Sequence, residues 1–201
     1  MKKTLLVVTS LVFLFAALSA FGQQFDAAFG VSTTKSSGAT IATSGPSAGL
    51  VFPSDGGGAY PGFSADFLFH GRLGAEGEVD WRASQALYGG YQPYRPVFYA
   101  FNAIYVPRIT KNISAELLAG IGGESVRFYG YTNCSAFFGC TTYSSSNHFM
   151  GDFGGGIRAY VWHNLFVRPE ARVYLIHNNV EFSSGTVGRF GVSLGYSFGG
   201  R

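Results

Sequence analysis

Lysine is nearly absent from this chain: Lys2, Lys3, Lys35 and Lys111 are the only four in 201 residues. Charged residues of all kinds reach 12%, where the surface of a soluble domain carries roughly a quarter or more. A water-facing exterior is therefore poorly provided for. No basic run occurs, which removes nucleic acid as a natural partner. Beyond the N-terminal segment, no stretch reaches the ~18 consecutive apolar residues of a membrane helix, so any crossing of a membrane must be made by strands. Cysteine is confined to Cys134 and Cys140 in "NCSAFFGC". That stretch supplies too few ligands for a metal; in an exported chain the pair is expected to form one disulfide closing a small loop. No cofactor motif stands out. The glycine run "AGIGGE" precedes no helix, so a dinucleotide loop is not expected there.

Residues 1–22 read as a signal peptide. Lys2 and Lys3 precede an apolar run from Thr4 to Leu18, and Ala20-Phe21-Gly22 offers small residues at a cleavage point before Gln23. An uncleaved anchor helix is the alternative. Residues 23–201 form a single expected domain. Without Lys2 and Lys3, 12 basic residues stand against 11 acidic ones, so the mature chain is close to neutral.

What the chain has in abundance is glycine, 29 residues, and phenylalanine, 20, set in alternating runs. "GAEGEVDWR", residues 74–82, puts Glu76, Glu78, Asp80 and Arg82 on one face and Gly77, Val79 and Trp81 on the other, the period-two pattern of a strand. Eight such segments are expected, at about 24–33, 60–70, 73–82, 96–106, 114–124, 148–161, 165–176 and 188–198. Long connections (34–59, 83–95, 125–147, 177–187) alternate strictly with short ones. Antiparallel strands joined this way place every long loop at one end and every tight turn at the other, the layout of a transmembrane β-barrel.

The two faces differ in chemistry. One carries Phe29, Phe67, Val79, Phe101, Leu117, Phe153, Val173, Leu194 and their kin, with no charge. The other carries Asp26, Asp66, Glu76, Glu78, Asp80, Arg82, Glu116, Asp152, Arg158, Arg168, Glu170 and Arg172 among many glycines. Eight strands enclose a space that side chains just fill. The aromatic face is too bulky for that space, whereas the charged, glycine-rich face fits it. A soluble barrel, with the faces reversed, is the alternative rejected on volume. The expected fold is an all-β, eight-stranded, antiparallel up-and-down barrel with a lumenal charge network. Buried carboxylates need partners, and forked arginines can bridge two each. Eight acids against four arginines leave an excess that Arg127 and Arg189 are placed to reduce. This network reads as a structural plug or as a cation-leaning pore. Pro169, inside a strand of a closed barrel, predicts a bulge or a missing ladder bond.

Tyr105, Trp162, Phe69 and Phe198 at the short-turn ends, and Trp81, Tyr99 and Phe149 at the long-loop ends, fit two interfacial girdles. Loop aromatics Tyr88, Tyr91, Tyr94, Tyr129, Tyr131, Phe137, Phe138 and Tyr143 suit either surface recognition or packing of the loops on one another. "SSSNH", residues 144–148, is the one fragment with nucleophile and base close together, and a solvated loop entering a strand explains it as well. His70, His163 and His177 fall at opposite ends of the barrel and share no metal site.

These features together resemble the small OmpA-like and OmpX-like outer-membrane β-barrel family. The last strand, "RFGVSLGYSF", is similar to that family's C-terminal assembly signal at Arg189, Gly191, Leu194, Tyr196 and Phe198, although Gly199-Gly200-Arg201 follow. The resemblance implies an integral protein of the bacterial outer membrane, with membrane lipid, the barrel-assembly machinery and an unidentified surface ligand as partners. It implies a non-enzymatic role in envelope structure or adhesion. A narrow porin-like channel and a lipid-modifying enzyme are the alternatives.

Overall fold

The computed structural model describes residues 24–41, 51–69, 72–135 and 139–199. The signal segment, His70, Phe137, Phe138 and the last two residues lie outside the described residues. Eleven strands follow in chain order: β1 (Gln24–Ser36), β2 (Thr40–Ile41), β3 (Val51–Phe52), β4 (Tyr60–Phe69), β5 (Leu73–Trp81), β6 (Ala86–Tyr88), β7 (Gln92–Tyr105), β8 (Ile113–Ser135), β9 (Gly139–Trp162), β10 (Leu165–Ile176) and β11 (Thr186–Phe198).

Eight of them pair antiparallel in the order β5-β4-β1-β11-β10-β9-β8-β7, and β5 pairs with β7 to close the barrel. The two chain ends meet in the wall, where Phe25 stands opposite Phe198. Short strands decorate the long-loop end: β2 and β3 form a small ribbon, and β6 folds back on the start of β7. At the other end the turns are tight. His163 takes φ 45° in the two-residue link between the paired Trp162 and Leu165.

Side-chain burial settles which face is which. Phe101 is 67% exposed and Leu194 53%, while their inward neighbours Asn102 and Ser193 are buried. Phe29, Phe63, Leu117, Ile121, Phe153 and Val173 continue the exposed apolar belt around the wall. Such a belt would drive association in water; hydrocarbon is the solvent that suits it. No helix among the described residues is long and apolar enough to cross a membrane, and the crossing is made by strands. Glycine makes the narrow interior possible. A Cβ at Gly195 would sit 2.3 Å from the ring of Phe166, and one at Gly154 would meet Arg172 at 2.8 Å.

The register departs from the sequence expectation in two places. Residues 125–147 were expected as a long loop, but β8 runs on to Ser135 and β9 begins at Gly139, so the segment is a two-stranded arm. Once the strands leave the hydrocarbon, both faces meet water, and the apolar alternation that marks a strand disappears from "TNCSAFFGCTTYSSSN". For the same reason β7 begins at Gln92, inside the expected 83–95 loop. At Pro169 the β9–β10 ladder passes from Val167↔Ala159 to Glu170↔Gly156 with no partners for Arg168 and Pro169, a gap where proline lacks its N–H. The bulge itself lies at Leu165/Phe166.

Candidate functional site

The chemistry of this molecule is concentrated in the lumen and its outer mouth. Alternation along each strand sends every second side chain inward, and the inward set is layered. Near the tight-turn end, Leu68, Ile104, Val106 and Leu118 form an apolar floor. Toward the loops, Tyr60, Phe98, Ala100, Met150, Tyr174, Ile176 and Val187 form an apolar ceiling. The ion pairs lie between them.

Four arginines build a ladder along the axis. Arg158 binds Asp26 and Glu116 and donates to Asp66 at 2.8 Å. Arg168 donates to Glu76 at 3.0 Å, Glu116 at 3.1 Å and the Ser64 hydroxyl at 2.7 Å. Arg172 reaches Glu76 at 2.8 Å, Glu170 at 3.0 Å and Glu78 at 2.5 Å. Arg189 closes the series on Glu78 at 2.5 Å and Asp80 at 2.7 Å. Asn102 donates to Glu76 at 3.0 Å and Asp152 at 2.8 Å. Successive arginines share a carboxylate, so the chain of contacts is unbroken from Asp26 to Asp80. The arginines come from β9, β10 and β11 and many of the acids from β1, β4 and β5, so these bonds tie opposite walls across the lumen. All of these groups are buried; a small pocket of about 10 Å³ beside Arg168, Glu170 and Arg189 has room for roughly one water.

Eleven of the twelve residues expected in the lumenal network are buried there; Arg82 is not. It sits half-buried at the mouth, with its guanidinium 5.8 Å from the Tyr94 ring centroid and lying against Gly58, whose φ of 94° and missing Cβ leave it space. Arg127, expected to help neutralise the lumen, points outward and is exposed. Strand parity is the reason: Val126 beside it is buried. Arg189 does join the ladder, and Asn102 and Glu124 are inward groups that the alternation of their strands also indicates.

Above the ceiling, the loops fold over the opening. Asp55, between β3 and β4, dips into the mouth and meets Glu124 of β8. Both side chains are fully buried, the two carboxyls lie within hydrogen-bonding reach of one another, and no donor among the described residues bonds to any of their four oxygens. A proton on either carboxyl would let the two share a hydrogen bond. Burial, only partly offset by Glu124 and Arg82, pushes the Asp55 carboxyl up to about 7. Higher still, Tyr88, Tyr94, Phe128 and Phe182 pack as a cap, with Phe182 5.3 Å from Tyr94 and 5.9 Å from Tyr88. The Ser183 amide donates to the Pro53 carbonyl at 2.9 Å, which fastens the last long loop to the first.

Of the loop aromatics, Tyr88 and Tyr94 are thus committed to this cap. Tyr91 is 78% exposed and Tyr143 37%; Tyr129 is 6.3 Å from Tyr143, and Tyr131 lies in β8. Cys134 and Cys140 stand directly opposite each other in the β8–β9 arm.

His148 does meet a serine and an acid, but not as a relay. The Ser146 hydroxyl lies 3.1 Å from His148 Nε2, Glu181 is 2.9 Å from that same nitrogen, and Ser146 itself donates to Glu181 at 2.5 Å. A hydrolytic triad needs the acid on one ring nitrogen and the nucleophile on the other. These three residues instead clamp the last loop to the arm. No group of three or more metal-binding side chains occurs among the described residues.

No family model matches the chain, and no curated protein matches it. Solved structures do. Ail, the attachment invasion locus protein of Yersinia pestis, in complex with the heparin analogue sucrose octasulfate, is 16% identical with a TM-score of 0.56, over 88% of this chain and 99% of that one. Neisserial surface protein A is 12% identical, TM-score 0.57, over 87% and 96%. The N-terminal β-barrel domain of Pseudomonas aeruginosa OprF is 12% identical, TM-score 0.53, over 88% and 98%. All three are eight-stranded outer-membrane barrels, and at these identities the likeness is one of fold.

Proposed function

We propose that this chain is an integral protein of the bacterial outer membrane, exported with a cleaved signal peptide at 1–22, whose lumen is closed and whose work is done by its outer surface. The observation that carries this reading is the buried ion-pair ladder between two apolar layers. A barrel filled in this way braces itself and presents loops; it leaves no path for a solute. The β8–β9 arm is the longest displayed element among the described residues, stapled in this reading by a Cys134–Cys140 disulfide. Their opposed positions in the ladder suit one, since paired residues in an antiparallel sheet lie ~4.5–5.5 Å apart at Cα and a disulfide accepts that span. Attachment through the arm and the exposed Tyr91 and Tyr143 is the favoured role, and the Ail structure, with its bound sulfated sugar, supports that direction. Deleting residues 126–146 tests it: surface adhesion of expressing cells should fall while the barrel still inserts. Unchanged adhesion would remove the arm from the account.

A narrow cation-selective channel is the second reading, favoured by the lumen's eight carboxyls against four guanidiniums. Planar-bilayer recording decides it. The closed lumen predicts no unitary current above background, and steady cation-selective steps would favour the channel. An enzymatic role has the Ser146–His148–Glu181 cluster as its candidate among the described residues. Equal lipid hydrolysis by wild type and His148→Ala would eliminate it.

A further inference from the structure

We propose that Arg95 and Arg127, on the outside of the barrel, form a binding site for the phosphate head groups of outer-leaflet lipid. The site rests on the membrane-spanning reading of the fold and adds to it a specific lipid contact. Arg95 on β7 stands directly opposite Arg127 on β8, and Arg127 stands opposite Ser145 on β9. One row across three strands therefore holds two guanidiniums and a hydroxyl. The row beneath it adds Ser125 and Asn147. Like charges directly opposite each other in a sheet repel, and nothing on this face relieves them. All eleven acids of the chain lie elsewhere: ten are buried in the lumen or its mouth, and Glu181 is held by His148 and Ser146. What the two arginines do touch is neutral. Arg127 lies 5.3 Å from the Tyr143 ring centroid, Arg95 donates to the Ala83 carbonyl at 3.2 Å, and the Arg95 Nε has no partner. The row is a set of donors short of an anion.

Its height selects the anion. From Tyr105 in the girdle at the tight-turn end, β7 reaches Arg95 in ten residues, and a tilted strand needs about 9–11 to cross the hydrocarbon. Tyr99 and Phe149, both exposed, lie on the same face just below the arginines. The guanidiniums thus sit at head-group level with acyl chains beneath them, where a lipid phosphate is delivered by the bilayer itself. Forked guanidiniums bind phosphate oxygens two at a time, and a bridging phosphate turns the cross-strand repulsion into a shared contact.

The test uses the full mature chain refolded into phosphatidylcholine vesicles, with and without diphosphoryl lipid A, and reads unfolding from heat-dependent gel mobility. Lipid A should raise the transition of the wild type, while its dephosphorylated form should not; that pair of measurements needs no variant. Arg95→Gln and Arg127→Gln should each weaken lipid A binding about tenfold, the double variant should lose the gain, and Lys35→Ala, on a distant strand, should keep it. An equal gain in the double variant, an equal gain from dephosphorylated lipid, or the same gain from inorganic phosphate alone would overturn the lipid site. Those results would leave the heat-dependent mobility shift intact, whereas loss of the shift itself would strike the barrel and not the site.

Discussion

The ladder in mid-lumen and the mouth above it use the same side chains on different terms. In the ladder, carboxylates and guanidiniums alternate along the axis, and removing any rung leaves a buried charge without its partner. At the mouth, Asp55 and Glu124 have each other, with Arg82 and the Tyr60 hydroxyl beside Asp55. Glu181 and, through it, His148 stand near Glu124, and Tyr94 stands near both acids. One fold thus holds an arginine-bridged ladder and an unbridged carboxyl pair a few residues apart. What separates them is whether a guanidinium hydrogen-bonds to each acid: the eight ladder carboxylates are all bonded by an arginine, while no donor among the described residues bonds to the oxygens of Asp55 or Glu124.

Arg158→Leu should have the greatest effect. It strips three carboxylates of their common partner and should cost about 3–5 kcal/mol in urea unfolding of the refolded protein; a loss under one kcal/mol would mean that the ladder is not a brace. Next comes the outer face. Phe101→Arg places a charge in mid-hydrocarbon and should cost about 2–4 kcal/mol, measured the same way in vesicles, while a neutral result would question the belt.

Smaller in energy and sharper in kind is the pH dependence of the mouth. A folded-state carboxyl raised to about 7 binds a proton that the open, hydrated loop would release. The closed mouth is therefore favoured at pH values below the ordinary carboxylate range and loses that advantage as pH rises through about 7. Exchange of the Gly57 amide, which donates to Thr34 at 2.7 Å, should accelerate beyond its intrinsic rate by up to about tenfold per pH unit across that window. In Asp55→Asn the excess dependence should vanish; a wild-type profile as flat as the variant's would end the idea. Smallest of all, Tyr91→Ala should change barrel stability by no more than about 0.5 kcal/mol, since its ring is in solvent. A larger loss would show that Tyr91 packs in the cap with Tyr88 and Tyr94.

Much of the barrel was legible because hydrocarbon imposes alternation. Phe25 to Val31, Glu76 to Trp81 and Phe190 to Phe198 each declare inside and outside residue by residue. The lumenal acids and Arg158, Arg168 and Arg172 are read from that parity; it also puts Glu124 inside and Arg127 outside, against the expectation that Arg127 serves the lumen. Legibility stops where the lipid stops. The β8–β9 arm has water on both faces, so "TTYSSSN" shows no strand period and reads as loop. Asp55 lies in a connection with no period at all, and its meeting with Glu124 is a product of chain closure across the mouth. Arg82 continues the parity of β5 but sits one residue past its end, where the wall opens toward Tyr94.

The barrel has a sidedness, hydrocarbon against the aromatic belt and ion pairs within. It is tested most directly by Phe101→Trp in a Trp81→Phe/Trp162→Phe background, refolded into vesicles whose acyl chains carry bromine. The indole should be quenched strongly by the brominated chains and hardly at all by aqueous iodide. Iodide quenching without quenching by the lipid would place position 101 in water and contradict the account.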